Sequence, residues 1–202
     1  MEKIFLYIII VLSAVFHEYA HGWAAYQMGD PTAKNAGRLT LNPLAHLDLV
    51  GTVILPLFLL FTSGAFLGWA KPVPYNPYNL RDQKYGSLKV ALAGPATNLL
   101  IALILGIILR IFLQPLNNYN PSWPMFLGLI IYVNIFLGLF NLLPFPPLDG
   151  SKIFADLFPR QWIHFRQLGF AGIFLAILFA FFILSPIANF IFYLIVGQSF
   201  FL

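Results

Sequence analysis

Four stretches of this chain, residues 4–27, 88–113, 125–145 and 168–184, are apolar almost without interruption. A helix rising 1.5 Å per residue needs about 20 such residues to cross the hydrocarbon of a bilayer, where every backbone N–H and C=O must be satisfied within the segment. A fifth run, 187–202, is short. A sixth, 52–67, has 16 residues and contains Pro56 and Ser63-Gly64, so it reads either as a thin span or as a re-entrant hairpin that leaves by the side it entered. The fold expected is an all-α polytopic membrane protein with about five transmembrane helices plus that hairpin.

Composition enters as the test of a soluble alternative. Only 18 of 202 side chains are charged, 11 basic and 7 acidic, and 60% of residues are hydrophobic. That is too little charge to coat a water-facing surface. The net charge of +4 invites a nucleic-acid reading, but no basic run with interleaved aromatics exists, and a lipid-embedded chain uses Lys and Arg to set its orientation. No nucleic-acid partner is expected. With no cysteine, any metal must be held by His, Asp or Glu. The first apolar run carries Glu18 and two histidines and ends without a small-residue cleavage site, so it is expected to stay in the mature protein. Polar segments 29–48 and 68–87 contain strand-like pieces, Gly37-Arg-Leu-Thr-Leu-Asn-Pro43 and Lys71-Pro-Val-Pro-Tyr-Asn-Pro77, where short membrane-associated β strands are expected.

Inside the first apolar run stands His17-Glu-Tyr-Ala-His21. Histidines at i and i+4 advance about 400° around a helix and about 6 Å along it, which places both on one face within reach of one metal ion. Glu18 lies about 100° away, where its carboxylate can take a proton from a water held beside the metal. Ionisable groups in hydrocarbon cost about 2.5 kcal/mol or more each on insertion scales, so three on one turn need a task.

A hydrolytic zinc site takes a third protein ligand and leaves the fourth position to water. His164 sits in a charged polar loop and reads as interfacial. His46 and Asp48 are either ligands or loop hydrogen-bonding groups. Asp149 is the best candidate, following Asn141-Leu-Leu-Pro-Phe-Pro-Pro-Leu-Asp-Gly150, where three prolines break a helix and let a short carboxylate turn inward.

Four motifs in order, His17-Glu-x-x-His21, Gly-Arg-Leu-x-x-Asn-Pro from Gly37, Ala93-Gly-Pro-x-x-Asn98 and Asn141-x-x-Pro-x-Pro-x-Leu-Asp-Gly150, resemble those of the site-2 protease family of intramembrane zinc metalloproteases. They cover residues 17–150, about two thirds of the chain. The resemblance implies one zinc ion bound by His17, His21 and Asp149, Glu18 as general base, and hydrolysis of a transmembrane protein substrate within or beside the lipid bilayer. It also implies that the polar strands guide an unwound substrate, within a single domain whose catalytic core runs from about 4 to 150 and is followed by C-terminal helices at about 168–202. No PDZ-like segment is present, and Ser151 stands where many members have a second glycine. Asn98 and Asn141 lie beside helix breaks, where each could cap freed backbone groups or bind the substrate backbone and stabilise oxyanion charge.

For His17, His21 and Asp149 to share one metal, the helices bearing them must end on the same membrane face, with an even number of crossings between. Residues 88–113 and 125–145 supply two, so 52–67 must be re-entrant. Nine basic residues then share one face, leaving Lys3 and Arg110 on the other, a strong positive-inside bias; a spanning 52–67 gives eight against three. The N-terminus is expected outside the cell membrane and the metal site toward the cytoplasm. Two other classes fit less of the sequence. A di-iron carboxylate bundle needs about four glutamates, and this chain has Glu2 and Glu18 alone. A proton- or ion-coupled transporter would use the buried His and Glu as a relay, but repeated halves are absent from the sequence.

Overall fold

The computed structural model describes residues 2–62, 68–120, 122–167 and 170–200. The helices are α1 (Glu2–Gln27), α2 (Thr32–Asn35), α3 (Leu55–Thr62), α4 (Gly86–Tyr119), α5 (Ser122–Asn141), α6 (Asp149–Leu157), α7 (Pro159–Arg166), α8 (Phe170–Phe179) and α9 (Ser185–Val196). Among the described residues, four helical runs are long and apolar enough to cross a membrane: Lys3–Gln27, Gly86–Tyr119, Ser122–Asn141 and Ala171–Val196. The protein is thus a helical, multi-pass integral membrane protein.

Two expectations change. The runs 168–184 and 187–202 are not two spans, because α8 passes into α9 through a wide π turn, Ala180–Leu184, and the 26 residues Ala171–Val196 form one run about 39 Å long. Ser185 N–H bonds the Ala180 carbonyl, one residue further back than in an α-helix, and that widened turn lets Pro186 pass without ending the helix. The described residues also contain no β strand. Pro72, Pro74 and Pro77 remove three N–H donors from 71–77, and Gly37 turns with φ +66° at the head of the other segment, so neither can sustain a ladder.

The chain divides into two compact units, Met1–Gly94 and Pro95–Leu202. In the first, Ala25, Leu80 and Val90 form a small core with Met28 and Tyr75 against it. Asp48 caps a π turn, Leu49–Ile54, by accepting from the amides of Val50 and Gly51, and α3 follows. The chain then comes back: Trp69 N–H donates to the Gly51 carbonyl at 3.0 Å and Thr52 Oγ1 donates to the Trp69 carbonyl at 2.8 Å. Tyr7 OH ties the turn to α1 through the Thr52 carbonyl. The tip of the expected hairpin, 63–67, lies outside the described residues.

In the second unit, Ala102, Leu109, Ile131, Ile135, Ala188, Phe192 and Val196 interlock α4, α5 and α9, and Leu143, Ala176, Ala180 and Leu184 form a second apolar cluster. Leu100, Leu103, Ile104, Ile107, Ile108 and Ile111 of α4 are exposed, the outward apolar stripe that lipid covers.

Candidate metal centre

In the first unit, helical spacing does what the sequence implies. His17 and His21 are both buried on one face of α1, with Nε2 atoms 3.0 Å apart and ring planes at 83°. His21 Nδ1 donates to the Val90 carbonyl of α4 at 2.7 Å, which fixes the tautomer whose Nε2 lone pair faces His17. The space ahead of the two nitrogens is kept by a glycine. A Cβ built on Gly94 would meet His21 Nε2 and would stand 2.6 Å from His17 Nε2.

Those observations test the fit to a metal. Two imidazole nitrogens at about 2.0 Å from a tetrahedral zinc ion stand about 3.3 Å apart, close to the separation found, and the backbone partner of His21 is the kind that holds a ligating imidazole in place. Glu18, half-buried, points to a neighbouring direction, and its Oε2 accepts from Val73 N–H at 2.7 Å.

In the second unit, Asp149 opens α6 and is buried, with Oδ1 3.2 Å from Lys152 Nζ one turn on. Asn98 is fully buried and gives Nδ2 to Asn134 Oδ1 at 2.8 Å, while Asn134 gives its own Nδ2 to the Ile130 carbonyl. Asn141 Nδ2 donates to Leu137 O, four residues back on its own helix. His46 and Asp48 take loop roles: His46 Nε2 donates to the Thr40 carbonyl, and Asp48 is the cap already described. The side chain of His164 lies outside the described residues.

Sequence reasoning missed three groups. The Val73 amide is the only N–H between Pro72 and Pro74, a signal readable in retrospect. Gly94 belongs to a quoted motif without a role assigned to it. Asn134, a lone amide in an apolar helix, carried no signal.

A family model described as Peptidase family M50 matches residues 5–119 and 116–185. The chain is 40% identical over 160 residues to a Bacillus subtilis protein named "Putative zinc metalloprotease YwhC", covering 77% of this chain and 69% of that one. It is 32% identical over 140 residues to "Putative zinc metalloprotease Rip2" of Mycolicibacterium smegmatis, covering 69% and 52% respectively. It is 24% identical over 162 residues to "Zinc metalloprotease MJ0392" of Methanocaldococcus jannaschii, covering 80% of this chain and 37% of that one. It therefore spans from about a third to about two thirds of the length of these relatives. No solved structure matches it. With the histidine pair, its backbone anchor and the motif order all in agreement with a match across most of its length, the chain belongs to peptidase family M50 and is a metalloprotease.

Proposed function

We propose that this metalloprotease is an intramembrane endopeptidase that cleaves membrane-embedded or membrane-proximal proteins, in regulated intramembrane proteolysis. The observation that carries the reading is the convergence of His17 and His21 Nε2 before Gly94, inside a helix of membrane-spanning length. The cofactor is zinc, one ion per chain, held by His17, His21 and Asp149. Asp149 is supported by its chemistry: it and Asp156 are the two carboxylates of residues 95–202, and Asp149 is the buried one. The whole chain acts as one catalytic domain.

When bound, zinc supplies a Lewis acid that polarises the scissile carbonyl and eases deprotonation of water. Glu18 takes that proton and returns it to the leaving amine. With Oε2 held by Val73 N–H, Oε1 is the oxygen that serves the transfer. In this reading Asn98 and Asn141 bind an extended substrate backbone, which must unwind because its carbonyls are otherwise in i to i+4 bonds. The extended segments 37–43 and 71–77 supply main-chain groups for it.

A re-entrant 52–67 is part of this reading, supported by the bonds that join Gly51 and Thr52 to Trp69. The nine-to-two basic bias supports an outside N-terminus in the cell membrane and a site opening to the cytoplasm. In this cysteine-free chain, Ser63→Cys is expected to react with an impermeant thiol reagent from the cytoplasmic side; labelling from outside alone overturns the topology. The catalytic test is Glu18→Gln in purified protein with a reporter transmembrane substrate. The variant is expected to keep one zinc per chain and lose cleavage by about 10³-fold or more; undiminished cleavage overturns the mechanism.

A further inference from the structure

Two buried charges in the first unit make no ion pair among the described residues. Asp30, fully buried, and Arg38, nine-tenths buried, both lie between α1 and the Asn42–Pro43 turn, and each is spent on the loop 71–79. Arg38 Nη2 donates to the Lys71 carbonyl at 2.6 Å and lies 3.5 Å from that of Pro72. Asp30 Oδ2 accepts from Asn76 N–H at 2.6 Å, and its Oδ1 accepts from Asn79 Nδ2 at 2.9 Å and from Thr32. The cation thus takes carbonyl oxygens at the start of the segment and the anion takes N–H donors at its end. Burying an unpaired charge is costly unless hydrogen bonds satisfy it; the Arg38 guanidinium spends Nη2 on main-chain carbonyls of this segment while its Nε is buried without a partner among the described residues, and the Asp30 carboxylate divides its bonds between this segment and Thr32.

Between the two grips lies Val73, whose N–H meets Glu18 at 2.7 Å and whose side chain is buried against α1, where a Cβ on Gly22 would stand 2.9 Å from its Cγ1. The prolines on either side fix φ and favour extended backbone, so the segment moves as a stiff strip. A shift of the strip along its length would carry the Val73 amide away from the carboxylate, and the two grips of opposite sign at its ends resist such a shift.

We propose that Asp30 and Arg38 are positioning residues, a pair that clamps residues 71–79 in the register from which Val73 N–H orients the Glu18 carboxylate. This rests on the reading of Glu18 as the proton-transferring group. Both act through the loop they hold; Arg38 stands in the Gly-Arg-Leu-x-x-Asn-Pro motif from Gly37, where no role was assigned to it, and Asp30 stands outside the four quoted motifs.

The experiment uses the full-length zinc-loaded protein in detergent micelles with a reporter transmembrane substrate. Arg38→Met and Asp30→Ala are compared with the conservative Arg38→Lys and Asp30→Asn, and with Val73→Pro, which removes the amide while leaving both clamps. Four quantities are read: kcat, KM, zinc per chain, and amide hydrogen exchange of a peptide covering residues 71–79. Arg38→Met and Asp30→Ala are expected to speed exchange in that peptide and lower kcat about 10- to 100-fold, with KM within about twofold and zinc stoichiometry intact. The conservative variants should recover part of kcat, and combining Arg38→Met with Val73→Pro should cost no more than Val73→Pro alone. Faster exchange with unchanged kcat overturns the proposal, as does unchanged exchange in both clamp variants or full additivity in the double variant. If a disruptive variant does not fold, the conservative pair and the double-variant cycle with Arg38→Lys decide it. Failure of the underlying reading is distinguishable, since it shows as undiminished cleavage by Glu18→Gln, whatever the exchange rates.

Discussion

Beyond α1, four polar side chains of residues 30–48 bond the main chain of loops, whereas in residues 95–202 the buried Asn98, Asn134 and Asp149 face each other or their own helices. Asp30, Arg38, His46 and Asp48 each bond backbone groups in irregular segments. Asn98 and Asn134 pair inside the second unit, beside a core built on Ile131, Ile135 and Phe192. The difference teaches where each kind of damage should appear. A loop set by a few charged anchors can be displaced without unfolding the protein, while a packed helical core loses stability before it loses chemistry.

The largest effect on the stability side should come from Phe192→Ala, which empties a fully buried site between helices. It is expected to cost about 3–5 kcal/mol of unfolding free energy in mixed micelles, with zinc content and kcat of the folded fraction unchanged; parallel loss of zinc would break the contrast. Next comes Gly94→Val, which puts side-chain carbon where the two imidazole nitrogens converge. Zinc affinity should fall about 100-fold or more by competition with a chelator, with little change in melting temperature of the metal-free protein; retained affinity would show that the nitrogens do not share a ligand.

The smallest effect is a pH dependence. Burial pushes the Asp30 carboxyl up, but bonds from Thr32 Oγ1, Asn79 Nδ2 and the amides of Asn76 and Thr32 outweigh it and hold the group below the usual carboxylate range. Because its folded value is depressed, Asp30 contributes stability above about pH 4, the ordinary range for Asp, and that contribution is lost as pH falls through the folded value. Exchange in residues 71–79 should therefore rise on acidification below about pH 4, and Asp30→Asn should remove that rise. A rise of the same size in the variant would assign it to another group.

What could be read from sequence followed from side-chain periodicity. The spans were legible because apolar runs of about 20 residues have few other uses, and His17 with His21 because i,i+4 spacing fixes a shared face. The C-terminal pair of spans was misread because Ser185-Pro186 looks like a break, while a π turn absorbs it. The strands were misread because alternating Pro and Asn mark extended backbone without saying whether donors remain to form a ladder. Asn134 and the roles of Arg38 and Asp30 were illegible for a different reason: Arg38 lay in a quoted motif, but its carbonyl partners at 71–72, like the Asn76 and Asn79 partners of Asp30 and the Asn98 partner of Asn134, are more than 30 residues away and leave no spacing signature.

The Val73 contact carries a further consequence for how this protein tolerates change. The atom that meets Glu18 is a peptide nitrogen, so every amino acid except proline supplies it, and the genetic code cannot vary it independently of side-chain bulk. Apart from proline, which removes the amide and changes the side chain together, substitutions at position 73 report the fit against Gly22 and not the hydrogen bond. Replacing that single amide by an ester, through incorporation of the α-hydroxy acid of valine, isolates the bond from the packing.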